Sequence, residues 1–193
     1  MSYLEYTVKR VPGGARKALH INWALVVLLT AVASVGFLML YSVAGGRLGV
    51  WAEPQMKGFA LGLVVMFAVA FVPIWFWRNM AGLAYGVTIL LLIGVQFFGS
   101  SGGGAQRWID LGFMRLQPSE LMKITLVMLL AAYYDWLDIR KTSHPFWVLV
   151  PVVMILLPTA LVLRQPDLGT ALLLMLGGGA VMLIAGVHWL YFA

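Results

Sequence analysis

Pro145–Leu163 reads PFWVLVPVVMILLPTALVL, Arg164–Asp167 reads RQPD, and Leu168–Val187 reads LGTALLLMLGGGAVMLIAGV. Two uncharged runs, each close to the ~20 residues that a helix needs to cross a bilayer, are separated by one short polar turn. A pair of spanning helices joined by a tight turn satisfies that pattern, and a water-soluble domain does not. Working towards the N-terminus, similar apolar runs recur at 21–46, 58–77 and 80–99. A further one, 118–134, is interrupted near its start by Glu120 and Lys123. The expected fold is all-α: a polytopic helical membrane protein, one membrane domain over 1–193, with six transmembrane helices plus the start of a seventh at His188–Ala193.

Composition agrees. Of 193 residues, 62% are hydrophobic and 10% charged, with a mean hydropathy of +0.94, far from the usual globular balance. Segments of about ten residues with alternating faces, the mark of a membrane β-barrel, are missing. The first run is too long for a signal-peptide core of roughly 7–15 residues and reads as an uncleaved helix. With no cysteine, disulfides and thiolate-bound metals are excluded, and His20, His144 and His188 are too scattered to form a zinc site. No cofactor is identifiable, and a divalent cation stays open. The net charge of +6 sits on residues that flank the spans, so anionic lipid headgroups are the expected partner and nucleic acid is not.

Charge also orients the chain. Lys9, Arg10, Arg16 and Lys17 in the tail, with Arg78, Arg140 and Lys141, outweigh Arg47, Lys57, Arg107, Arg115 and Arg164 on the opposite side. The positive-inside rule then puts the N-terminus in the cytoplasm. Trp23, Trp75, Trp77, Trp136, Trp147 and Trp189 fall at span ends on the tail side and read as an interfacial belt. The outer loops become 45–57, 99–117 and 164–165.

Two polar segments share that outer face. Gln117 takes a cap position, Pro118 the first helical position, and Glu120 the first turn, where an acid meets the positive end of the helix dipole. Lys123 lies three residues on, on the same face. The two charges either neutralise each other and pin the helix, or line a polar cavity in which Lys123 takes an anionic group such as a diphosphate. Arg164-Gln165-Pro166-Asp167 repeats the grammar: an Arg, Gln-Pro, then an acid in the opening turn. Two helix N-termini facing one cavity would favour an anion, or they are two ordinary capped helices. Arg107 and Trp108 follow the flexible Gly102-Gly103-Gly104. They suit phosphate and a sugar or lipid face, or anchor the interface. Gly177-Gly178-Gly179 predicts close helix packing or local unwinding, with packing the plainer reading, and Pro151 and Pro158 predict kinks.

GAQRWIDLG at 104–112, RLQPSE at 115–120 with Lys123, and QPDLGT at 165–170 together resemble the shape, elongation, division and sporulation family, its rod-shape branch more than its division branch. The resemblance covers nearly the whole chain and about the first half of the family's usual length. It implies a peptidoglycan glycosyltransferase that polymerises lipid II at the outer face of the bacterial inner membrane. It also implies a class B penicillin-binding transpeptidase and other elongation proteins as partners. Arg107, Trp108, Glu120, Lys123, Gln165 and Asp167 match motif positions around the family's outward cavity. The family's catalytic aspartate matches no position here, neither Asp110 nor Asp167, so the catalytic residue is unknown and the 193 residues alone are expected to be inactive. A transporter or flippase for a lipid-linked saccharide, and a non-catalytic scaffold for wall synthesis, are the competing classes.

Overall fold

The computed structural model describes residues 21–98, 100–102, 105–110 and 115–192. The tail cations, His20, Gly103, Gly104, Leu111, Gly112 and Ala193 lie outside the described residues. Among those described there are six α-helices: α1 Trp23–Val43, α2 Ala52–Phe71, α3 Ile74–Phe98, α4 Pro118–Trp136, α5 Pro145–Leu163 and α6 Leu168–Ile184. Short 3-10 turns occupy Ile139–Lys141 and Trp189–Tyr191; the latter stands where the approach to a seventh span was expected. Four helices, α1, α2, α3 and α5, are long and apolar enough to cross a membrane. α4 carries Glu120, Lys123 and Asp135, and α6 has only 17 residues. The chain is a multi-pass membrane protein.

The second and third helices begin at Ala52 and Ile74 instead of Gly58 and Met80. Glu53 and Lys57 had marked a loop, but they form an i,i+4 pair at 2.7 Å inside α2, with Glu53 at the positive end of the helix dipole. Pro73 has no N–H to donate and the residue before it, Val72, is extended. The break therefore falls there, and Trp75, Trp77 and Arg78 belong to the opening of α3.

A second correction concerns the segment read as a loop at 99–117. Its described residues include an antiparallel three-stranded sheet in the order β1-β2-β3: β1 Ser100–Gly102, β2 Ala105–Asp110 and β3 Arg115–Leu116. Gly102 faces Ala105 and Ser101 faces Gln106, so β1 and β2 form the two arms of a hairpin. Ile109 faces Leu116 and Asp110 faces Arg115, with a long ion contact of 3.9 Å. The three strands form a small platform beside the helices of the described residues.

The chain divides into two compact units, Met1–Trp75 and Phe76–Ala193. In the first, α1 and α2 pack through Trp23 on Phe67, with centroids 5.9 Å apart, and Phe37 on Phe59 at 5.7 Å. Ala52 is the one buried residue of the two helices. A helix that is apolar all round yet exposed needs lipid around it. Gly45 and Gly46, with φ of 64° and 80°, end α1 by turning the chain so that their N–H groups reach the Ser42 and Tyr41 carbonyls.

In the second unit, Leu92 of α3, Met122, Leu126 and Leu130 of α4, Val148, Ile155 and Val162 of α5, and Leu174 and Met182 of α6 form one core. Gly178 lets α6 approach α5 closely: a Cβ there would stand 2.6 Å from Ile155 Cγ1. This is the close packing that the glycine run predicts.

α5 runs as one helix through both Pro151 and Pro158. Each proline deprives the carbonyl four residues earlier of its helical donor. For Pro158 that is Met154, whose oxygen accepts a hydrogen bond from Tyr85 Oη at 2.8 Å. For Pro151 it is Trp147, whose oxygen accepts one from Tyr133 Oη, also at 2.8 Å. In a medium without water, freed carbonyls must find such donors. Nearer the C-terminal end of α5, Gln96 Nε2 donates to Leu161 O at 3.3 Å. Thr88 and Thr125 join α3 to α4 through a buried hydroxyl pair at 2.9 Å.

Candidate functional site

The end of the second unit that carries the sheet gathers the polar segments. β2 presents Arg107, half-buried, whose Nε donates to Gln165 O at 3.0 Å and whose second amino group donates to Pro166 O. The segments 104–120 and 164–170, read separately in sequence, are therefore joined by one guanidinium. Gln165 is buried, at 5% exposure, and its Nε2 donates to Leu92 O of α3 at 3.3 Å. The hairpin, α3 and the α5–α6 turn are tied together at this point.

The two helix openings differ in a way their shared Gln-Pro motif conceals. At α4, Gln117 is the cap residue and Pro118 is the first helical residue, but the Gln117 side chain makes no capping bond. Its Nε2 donates instead to Ser119 Oγ at 3.0 Å. At α6, Asp167 is itself the cap and does not stand in the opening turn. Its Oδ1 accepts from Thr170 N at 3.1 Å and its Oδ2 from Thr170 Oγ at 2.8 Å. The shorter side chain reaches its own helix's N–H, which a glutamine in that place does less readily. The α6 N-terminus thus already holds a carboxylate, while that of α4 is filled only by the first-turn Glu120.

Glu120 and Lys123 form an ion pair at 2.8 Å, Lys123 being 29% and Glu120 56% exposed at the side chain. A pair this open to solvent contributes at most ~1 kcal/mol. Neither side chain bonds Arg107, Gln165 or Asp167, so five of the six motif residues fall into two groups: Arg107, Gln165 and Asp167 at the α5–α6 turn, and Glu120 with Lys123 on α4. Trp108 is half-buried on β2 beside Arg107. Among the described residues no cluster of His, Asp or Glu could hold a metal ion.

At the opposite end, sequence reasoning missed Asp135. It lies close to the C-terminus of α4, largely buried, and its Oδ2 stands 2.8 Å from the Arg78 guanidinium at the start of α3. An acid at the end of an apolar run, opposite an Arg in the neighbouring loop, was the available signal.

Six helices among the described residues with this apolar exposure, a small β platform and two polar helix openings define a polytopic membrane protein. The chain matches the FtsW, RodA and SpoVE family of cell cycle proteins over residues 18–193. It is 34% identical over 172 residues to the peptidoglycan glycosyltransferase MrdB of Escherichia coli K12, covering 88% of this chain and 45% of that protein. Among solved structures it resembles a chain of a peptidoglycan synthase complex that coordinates polymerization and crosslinking. There the TM-score is 0.78 at 32% identity, over 88% of this chain and 49% of the other. It also resembles the rod shape determining protein RodA of Thermus thermophilus, with TM-score 0.75 and 32% identity over 87% and 55% of the two chains. The chain belongs to the shape, elongation, division and sporulation family, and it spans about half the length of the relatives it matches.

Proposed function

We propose that this chain contributes the outward-facing polar end of a peptidoglycan glycosyltransferase that polymerises lipid II in cell elongation. In this reading it lies in the bacterial inner membrane with its N-terminus cytoplasmic and a class B penicillin-binding transpeptidase as partner. The observation that carries the reading is the convergence of the two motif segments on one end of the second unit, through Arg107. The names of the relatives and the polymerization and crosslinking complex support the activity and the partner.

The transfer joins an acceptor hydroxyl oxygen to the anomeric carbon of the donor sugar. The bond from that carbon to the lipid diphosphate breaks, the diphosphate carries away the electron pair, and the hydroxyl proton passes to a base. Positive charge near the departing diphosphate lowers the barrier. Lys123 is the cation for this step. Its partner Glu120 is exposed enough for a diphosphate to displace it at small cost. Trp108 offers an indole face to a sugar or an isoprenyl segment.

The test is polymerisation of purified lipid II by the complete gene product, with Glu120→Gln and Lys123→Met compared at equal folded amounts. Lys123→Met is expected to lower the rate by at least about tenfold, the scale of one lost electrostatic contact to the departing diphosphate. Unchanged rates in both variants would refute the assignment. Movement of lipid II across vesicles without polymerisation would favour a transporter.

A further inference from the structure

We propose that Arg107 is a positioning residue, a latch holding the β hairpin on the α5–α6 turn, and not itself a ligand of the lipid diphosphate. This deepens the glycosyltransferase reading and rests on it for the meaning of the site. Three observations carry it.

First, Nε and the second amino group lie on one edge of the guanidinium, the fork that would grip a phosphate in bidentate fashion. That edge faces two backbone carbonyls, Gln165 O and Pro166 O. Second, those carbonyls have reason to need it. They fall between α5, which ends at Leu163, and α6, which begins at Leu168, outside either helical ladder. The C-terminal end of α5 also carries the negative end of a helix dipole, where a cation is favoured. Third, the turn so held is fixed to the rest of the unit. Gln165 is buried and reaches Leu92 O, and the next residue but one, Asp167, caps α6 through Thr170. Arg107 therefore sets where the hairpin bearing Trp108 stands relative to the opening of α6. Lysine, a single point charge, cannot span both carbonyls in the same geometry.

The experiment compares wild type, Arg107→Lys and Arg107→Ala by hydrogen–deuterium exchange of the chain in lipid nanodiscs, and by lipid II polymerisation with the complete gene product. Loss of two charge-assisted bonds should raise exchange of the 105–110 amides and of Thr170 at least about tenfold in Arg107→Ala, with a smaller rise in Arg107→Lys and none in α1 or α2. In polymerisation, kcat should fall about tenfold while KM for lipid II stays within about twofold, the pattern of a displaced but unbound group. A rise in KM with kcat intact and exchange unchanged would make Arg107 a substrate ligand and overturn the proposal. Wild-type exchange rates in both variants would overturn it equally. Should Arg107→Ala fail to fold, Arg107→Lys and Arg107→Gln, which keep at least one donor, carry the same comparison. A complete gene product that does not polymerise lipid II sinks the functional reading alone, because the exchange measurement still decides the latch.

Discussion

Replacing Tyr85 by Phe removes one oxygen atom and nothing else, yet it should unfasten α3 from α5. The hydroxyl is the donor that Met154 O has in place of the N–H missing at Pro158. Leaving a buried carbonyl unsatisfied costs about 1–3 kcal/mol. Hydrogen bonds between helices in membranes average nearer ~0.6 kcal/mol with a maximum near ~1.7. Here the carbonyl has no helical alternative, so the upper part of the membrane range, about 1–1.7 kcal/mol, is the expectation. Pro158→Ala supplies an N–H to Met154 O and makes the tyrosine hydroxyl redundant. Tyr85→Phe should then be nearly silent in the Pro158→Ala background, a coupling of about 1 kcal/mol. The same cycle applies to Tyr133→Phe with Pro151→Ala, through Trp147 O. Tyr134 is the control. It adjoins Tyr133, and its buried hydroxyl has no partner among the described residues, so Tyr134→Phe should cost nothing. Equilibrium unfolding by steric trapping in bicelles gives the free energies. Equal cost of Tyr85→Phe with Pro or Ala at 158, or equal cost of Tyr133→Phe and Tyr134→Phe, would refute the reasoning.

Three further outcomes are expected. Gly178→Ala should be less stable than Gly177→Ala by about 1–3 kcal/mol in the same assay: the added Cβ meets Ile155 Cγ1 and Cδ1 at 2.6 and 2.7 Å at 178 and open space at 177, while the gain in helix propensity is common to both. Asp167→Ala should lose about 1 kcal/mol by thermal unfolding, and Asp167→Asn, an equally good cap, should lose little. Arg78→Ala should be worse than Arg78→Ala/Asp135→Asn, because the single change strands a carboxylate that is 12% exposed; equal melting temperatures would show that the pair does not couple.

Which parts of this were legible in sequence follows from how far apart the interacting groups lie. Uninterrupted apolar length announced α5 to the residue, because the bilayer sets that length directly, and it announced the start of α6, which ends three residues sooner than its apolar run. Charges misled at α2: Glu53 and Lys57 satisfy each other within one turn, so their presence did not exclude helix. The 105–110 strand shows no alternation of apolar and polar residues, and its pairing with Ser100–Gly102 and Arg115–Leu116 is what makes it a strand. Gln-Pro before α4 and before α6 looked like one motif. A two-residue difference in where the helix starts, after Gln117 in one case and after Asp167, two residues beyond Gln165, in the other, gives the two acids different tasks. The donor to a proline-freed carbonyl was beyond reach, since Tyr85 lies 69 residues from Met154.

That last feature extends along the whole of α5. The carbonyls of Trp147, Met154 and Leu161 recur every two turns, hence on one face of the helix. Each accepts a side chain from a neighbour: Tyr133 of α4, then Tyr85 and Gln96 of α3. Among apolar side chains in lipid, sliding one helix along another changes packing energy little, since the tails are as apolar as the residues. Three directed bonds change that. A slip of one turn, ~5.4 Å, would break all of them at once and leave the two proline-freed carbonyls bare. The register of α5 is thereby fixed, and with it the height of the Gln165–Pro166 carbonyls that Arg107 grips just beyond its end. The position of the β platform is in this way inherited from tyrosines and prolines spread along α3, α4 and α5, which is why Tyr85→Phe should be felt at the hairpin as well as in the core.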